Sequence, residues 1–212
     1  MGLVKYNNNS ISAVTSTGLA EGSLVPIKTL TASSSATLSF VHGTDGVVLD
    51  STYPIYKFEF INLHGSANSY QVLFQGSINS GSSYGVAITS TYFYANHYEN
   101  DSSTSLTYNA GGDLANGTGF QRLILGGSGD NASKSSAGEL SIYSPSSTTF
   151  VKHFMSTNVS RSDQDSSGST PQNNNFLGGY FNTTSAINAI QFKMSTGNID
   201  SGKIKLYGIK DS

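Results

Sequence analysis

Chemistry in an unfamiliar chain begins with titratable and nucleophilic side chains whose spacing makes them converge, and this sequence supplies few. Its four histidines, His42, His64, His97 and His153, are scattered, and none stands in HExxH or another ligand spacing. His97 and His153 fall inside runs that read as strands, where an imidazole faces solvent or makes one hydrogen bond in the core. Cysteine is absent, which removes disulfides, thiolate metal sites and thiol redox chemistry. A polysaccharide hydrolase needs two facing carboxylates. Glu59, Glu99, Asp101, Asp113, Asp130 and Glu139 are the acids in strand or loop positions, but no spacing pairs them. Glu59 sits two residues from Lys57 on one strand face, the arrangement of a surface ion pair of little energetic worth.

Nucleophile and phosphate motifs fail on their context. Gly126-Gly127-Ser128-Gly129 misses the GxSxG spacing by one residue and has no helical pattern behind it. Gly111-Gly112 and Gly126-Gly127 lack the following Lys-Ser/Thr and the helix whose N-terminus would hold an anion. Asp163, Asp165 and Ser166 place oxygens at a calcium-loop spacing, but the central glycine and the twelfth-position carboxylate do not follow, so a solvated acidic loop is expected. The chain reads as a non-enzyme with no cofactor and no metal.

Aromatic display is the stronger signal. Over Tyr92-Phe93-Tyr94-Ala95-Asn96-His97-Tyr98, strand alternation puts Tyr92, Tyr94, Asn96 and Tyr98 on one side. Tyrosine rings stack on sugars and asparagine bonds their hydroxyls, so these four are the candidate binding residues. The competing reading makes the same tyrosines core residues with their hydroxyls at the rim.

The elements that carry these residues are strands. Only 11% of the 212 residues are charged, less than half the roughly 25% usual in soluble domains. A net charge of −2, with scattered Lys and Arg, gives no electrostatic footprint for nucleic acid. No basic start followed by an apolar stretch marks a secretory signal, and no apolar run approaches bilayer length, so no membrane partner is expected. Period-two alternation between turn residues recurs over Ala36–Val41, Pro54–Leu63, Tyr70–Gln75, Tyr92–His97, Gln121–Leu125, Glu139–Tyr143 and Phe150–Met155. In Pro54–Leu63 the residues Tyr56, Phe58 and Phe60 share a face that should look into the core.

Ala189–Met194 and Lys203–Ile209 read as a closing C-terminal hairpin, joined through Thr196-Gly197-Asn198 and Ser201-Gly202. Asn100–Gly119 and Ser160–Asn175 read as long loops, where contacts concentrate. The spacing predicts an all-β chain, an antiparallel two-sheet β-sandwich of jelly-roll type, over residues 25–212. Residues 1–24 form an N-terminal arm or edge segment.

Two stretches carry a resemblance. Ser146–Thr157, SSTTFVKHFMST, and Gly178–Ile209, ending in GNIDSGKIKLYGI, resemble structural proteins encoded by marine bacteriophages and cyanophages. Residues 27–63 share it more weakly. The resemblance covers about half of the chain and implies a virion-associated protein: a capsid decoration or cement protein, or a fibre or tail component. It carries no functional residue across. The implied partners are other copies of the chain, as a trimer at a local threefold or on a fibre, and neighbouring virion proteins. The alternative is a module at a fibre tip that binds a host-surface glycan or receptor.

Overall fold

The computed structural model describes residues 23–67, 70–127, 134–161 and 170–211. The expected arm therefore lies outside the described residues up to position 22, and Leu24 already opens the first strand. The described residues form β1 (Leu24–Thr31), β2 (Leu38–Val41), β3 (Ile55–Gly65), β4 (Tyr70–Ser77), β5 (Ile88–Tyr98) and β6 (Thr104–Tyr108). They continue with β7 (Gln121–Gly127), β8 (Ser136–Tyr143), β9 (Lys152–Arg161), β10 (Pro171–Phe181), β11 (Ala189–Met194) and β12 (Ile199–Ile209).

Two antiparallel sheets result, in the orders β1-β12-β3-β8-β9-β10-β5-β6 and β2-β11-β4-β7. This is the expected all-β two-sheet sandwich, and the order establishes no more specific named topology. Alternation decides which side chains enter the core. Tyr56, Phe58 and Phe60 of β3 are buried while Lys57 and Glu59 stand on the other face.

The core is a web of edge-to-face phenylalanines that joins the sheets. Phe40 of β2 meets Phe58 with ring centroids 5.2 Å apart, Phe192 of β11 meets Phe58 and Phe60 at 5.2 and 5.4 Å, and Phe74 of β4 meets Phe154 of β9 at 5.2 Å. Each such pair contributes about 0.5–1.5 kcal/mol beyond the area it buries.

Three expectations are corrected. The C-terminal pair is not a hairpin: β11 pairs with β2 and β4 in the smaller sheet, and β12 with β1 and β3 in the larger. Ile190, Phe192 and Met194 are buried as expected, as are Ile204 and Leu206, but the two strands bury them from opposite layers. Alternation specifies a buried face and leaves open which sheet presents it. The stretch Ser160–Asn175 is not one long loop, because β9 runs to Arg161 and 171–175 open β10, while 162–169 lie outside the described residues. Asn100–Gly119 likewise contains β6, paired along β5.

Candidate interaction face

β5 is aromatic on both sides, and the structure separates them. Tyr92, Tyr94, Asn96 and Tyr98 share the inward side. Tyr92 is wholly buried and donates its hydroxyl to Asn175 Oδ1 at 2.7 Å, with burial pushing its phenol well above the ordinary range. It is a core residue, the place the competing reading gave it. Tyr94 packs half-buried against the core. Asn96 Oδ1 accepts from Ser105 Oγ at 2.8 Å, and Tyr98, half-buried, lies across from Pro171. The row thus grades from core at Tyr92 to rim at Tyr98.

Behind Tyr92 a buried polar group ties the layers together. Asn173, Asn175, Asn158 and Ser160 are all buried. Asn175 Oδ1 also accepts from the Leu125 N–H at 3.2 Å, while its Nδ2 donates to Asn158 O at 3.3 Å. Ser160 Oγ donates to Leu125 O at 3.0 Å, and Asn158 Nδ2 to Leu123 O at 3.4 Å. Leu123 and Leu125 belong to β7, the last strand of the smaller sheet. Side chains of β9 and β10 therefore occupy backbone groups of an edge strand, as buried polar groups require. The Gln172–Asn175 run reads as loop because asparagine is depleted in strands; here the Asn175 amide serves this edge.

The outward side of the same strands is the more exposed surface. Phe93 of β5 lies opposite Tyr108 of β6 and Phe176 of β10, and its ring stacks on that of Phe176 at 5.0 Å and 13°. Ala95 faces Leu106, and Met155 and Val159 of β9 lie across from Gly178 and Asn174. Leu106 is 73%, Met155 62% and Tyr108 57% exposed. Tyr108 donates its hydroxyl to Asp113, which holds the ring over the face.

Charge on this sheet gathers elsewhere. Lys57 pairs with Glu139 at 2.5 Å and with Glu59 at 4.0 Å, and Lys205 lies across from Glu59. The larger sheet thus shows solvent a charged half over β12, β3 and β8, and a more apolar half over β9, β10, β5 and β6, where the exposed His97, His153, Thr157 and Gln172 stand among the apolar side chains. Arg161 closes the apolar half at one end, bound to Glu99 Oε1 at 2.9 Å; that bond holds the Glu99 carboxyl below its usual range.

Of the sequence's remaining candidates, Glu59 and Glu139 come together as cross-strand partners with Lys57 between them, and the histidines stay apart. His42 Nδ1 accepts from the Leu49 N–H at 3.1 Å, His64 lies 3.9 Å from Asp200, His97 bonds Asp101 at 3.0 Å, and exposed His153 lies beside Tyr180. Among the described residues no three His, Cys, Asp or Glu come together in a group able to hold a metal. Asp130, Asp163, Asp165 and Ser166 lie outside those residues. At one end of the sandwich a cavity of about 570 Å³ is lined by Tyr53, Thr52, Ser144, Ser147 and Lys210.

Sequence reasoning missed the apolar half because it is assembled from four strands, two of which fall in stretches read as loops. The exposed pair Leu106 and Tyr108, two residues apart in an uncharged run, was the available signal. Comparison with family models, curated proteins and solved structures yields no match.

Proposed function

We propose that this chain is a non-enzymatic structural protein of a phage virion, a capsid decoration or cement protein or a fibre or tail component, built to pack against copies of itself and neighbouring particle proteins. The observation that carries the reading is the apolar half of the larger sheet, where Phe93, Leu106, Tyr108, Met155 and Val159 stand exposed on β5, β6 and β9, with β10 between β9 and β5. Contiguous exposed apolar surface of this kind is the mark of a contact site, because a free monomer gains nothing from it. The resemblance of Ser146–Thr157 and Gly178–Ile209 to phage structural proteins supplies the particle.

The test is to purify the chain, record its mass by light scattering, and incubate it with phage capsids that lack it. Uptake at a regular stoichiometry, abolished by Met155→Lys with Val159→Lys, is the expected result. A chain that stays monomeric and ignores capsids overturns the reading.

A second reading rests on the cavity beside Tyr53, where an aromatic ring meets Thr52, Ser144 and Ser147 hydroxyls, the mixture that suits a sugar. A glycan-binding module at a fibre tip would retain host-surface glycans on an array and lose them on Tyr53→Ala. An array without signal removes this reading.

A further inference from the structure

Among the described residues the two sheets have four edges, and three are closed to pairing. β1 carries Pro26, a register shift between Pro26 and Lys28, and Lys28 itself, all devices that keep an edge from adding a strand. β2 is four residues long, its Leu38 and Phe40 are buried, and it runs into a turn closed by Thr44 N–H to Val41 O at 3.0 Å. β7 has Leu123 O and both Leu125 groups bonded by side chains of β9 and β10. The fourth edge, β6, is short as well, but among the described residues it carries no proline, charge, register shift or side-chain cap on its backbone. Thr104-Ser105-Leu106-Thr107-Tyr108 holds no charge and no proline, and its pairing with β5 runs without a shift.

The backbone groups that face outward on β6 can be identified. Tyr98 N–H donates to Ser103 O at 3.1 Å and Asn109 N–H to Tyr92 O at 2.9 Å. Antiparallel pairs alternate between hydrogen-bonded and non-hydrogen-bonded, so the odd-numbered residues of β6 bond β5. The amides and carbonyls of Thr104, Leu106 and Tyr108 therefore point away from the sheet. The side chains of these same three residues lie on the apolar outer face.

We propose that β6 is a self-pairing seam: two copies of the chain join antiparallel through β6, about a two-fold axis at Leu106, into one continuous sixteen-stranded sheet. In that register each strand's three outward amides meet its partner's three outward carbonyls. Leu106 lies beside its symmetry mate and Tyr108 beside the mate's Thr104, with no charged side chain on either strand to oppose the approach. The axis makes the contact isologous, so one short segment supplies both sides. The apolar halves of the two sheets become contiguous across the seam. Five paired residues bury less than the roughly 800 Å² per partner of a standard interface, so the contact is transient in dilute solution and gains strength wherever copies are held together. This inference rests on the self-association in the proposed function and names its site.

The chain's lack of cysteine allows a direct test. A hydrogen-bonded antiparallel pair sets Cα atoms about 5.5 Å apart, within disulfide reach, so Leu106→Cys should cross-link to itself under mild oxidation. The control is Phe150→Cys, equally exposed and outside β6. In concentrated protein Leu106→Cys should dimerise roughly tenfold faster than the control, the gain that pre-pairing gives. Leu106→Lys should abolish concentration-dependent dimerisation and leave circular dichroism and the thermal midpoint unchanged. Equal cross-linking rates overturn the seam, as does dimerisation that survives Leu106→Lys. A chain that pairs through β6 but never attaches to particles overturns the virion reading alone, and particle uptake by a chain whose Leu106→Cys fails to cross-link overturns the seam alone.

Discussion

Tyr92→Phe should change sign when Asn175 is replaced. In the native chain the Tyr92 hydroxyl is buried and spends its proton on Asn175 Oδ1, so deleting it removes one hydrogen bond worth about 1 kcal/mol. Asn175→Leu strands that hydroxyl and also the Leu125 N–H, which shares the same acceptor. A buried hydroxyl and a part-buried amide deprived of that acceptor cost about 2–6 kcal/mol. Burial of the leucine offsets about 2 kcal/mol of that, leaving a net loss of up to about 4 kcal/mol. In this background the phenol oxygen is a liability, and Tyr92→Phe relieves it by about 1–2 kcal/mol. The double-mutant cycle should therefore give a coupling of about 2–3 kcal/mol. Urea unfolding followed by circular dichroism reads it as a shift in midpoint at constant slope. Heating reads the same differences as about 2–4 °C per kcal/mol at this chain length. If Tyr92→Phe destabilises both backgrounds equally, the amide is not what holds the tyrosine, and the account of the β7 edge fails with it.

Other consequences can be measured on the same protein. Burial holds the Tyr56 phenol up at about 12, above the ordinary 10.0; because the folded chain keeps a proton that the unfolded chain releases, stability is intact below pH 10 and falls as pH rises towards 12. Denaturant titrations across that window should show the decline. Gly202, in the irregular stretch where β12 slips against β3, has φ +109, and an added Cβ would lie 2.5 Å from Asn62 O. Gly202→Ala should cost more than about 1 kcal/mol, read as a lower thermal midpoint. Met155→Lys and Val159→Lys, both on the outer face, should raise solubility and keep the unfolding midpoint within about 0.5 kcal/mol of the parent. A large loss of stability there would mean that these side chains pack against the chain itself.

What sequence reasoning could reach divides along physical lines. Alternation is local, so the buried rows of β3, β11 and β12 are legible from Tyr56, Phe58 and Phe60, from Ile190, Phe192 and Met194, and from Ile204 and Leu206. Pairing is non-local, so the joining of Ala189–Met194 to Lys203–Ile209 as a hairpin follows from their nearness in sequence and is wrong in space. β10 is hidden because Asn175 answers to β7 across the sandwich, a partner that no local propensity reports. The place of Tyr92 is hidden for a related reason: both sides of β5 are aromatic, and only the packed molecule tells Tyr92, which is covered, from Phe93, which is not.

The place of β12 has consequence for how the molecule comes into being. β12 lies between β1 and β3, matching Leu24 to Ile209 and Ile55 to Ile209 along its two sides. β1 and β3 come early in the chain, and the strand that must separate them comes from far along it. The larger sheet gains its β1 edge only when that distant strand inserts, and contacts of such long sequence separation place the chain among slow folders, on the millisecond-to-second scale or beyond. Until β12 arrives, β1 and β3 stand with open edges. A chain cut short before residue 199 would leave β1 without a partner and one side of β3 unpaired, and those open edges would lead to aggregation.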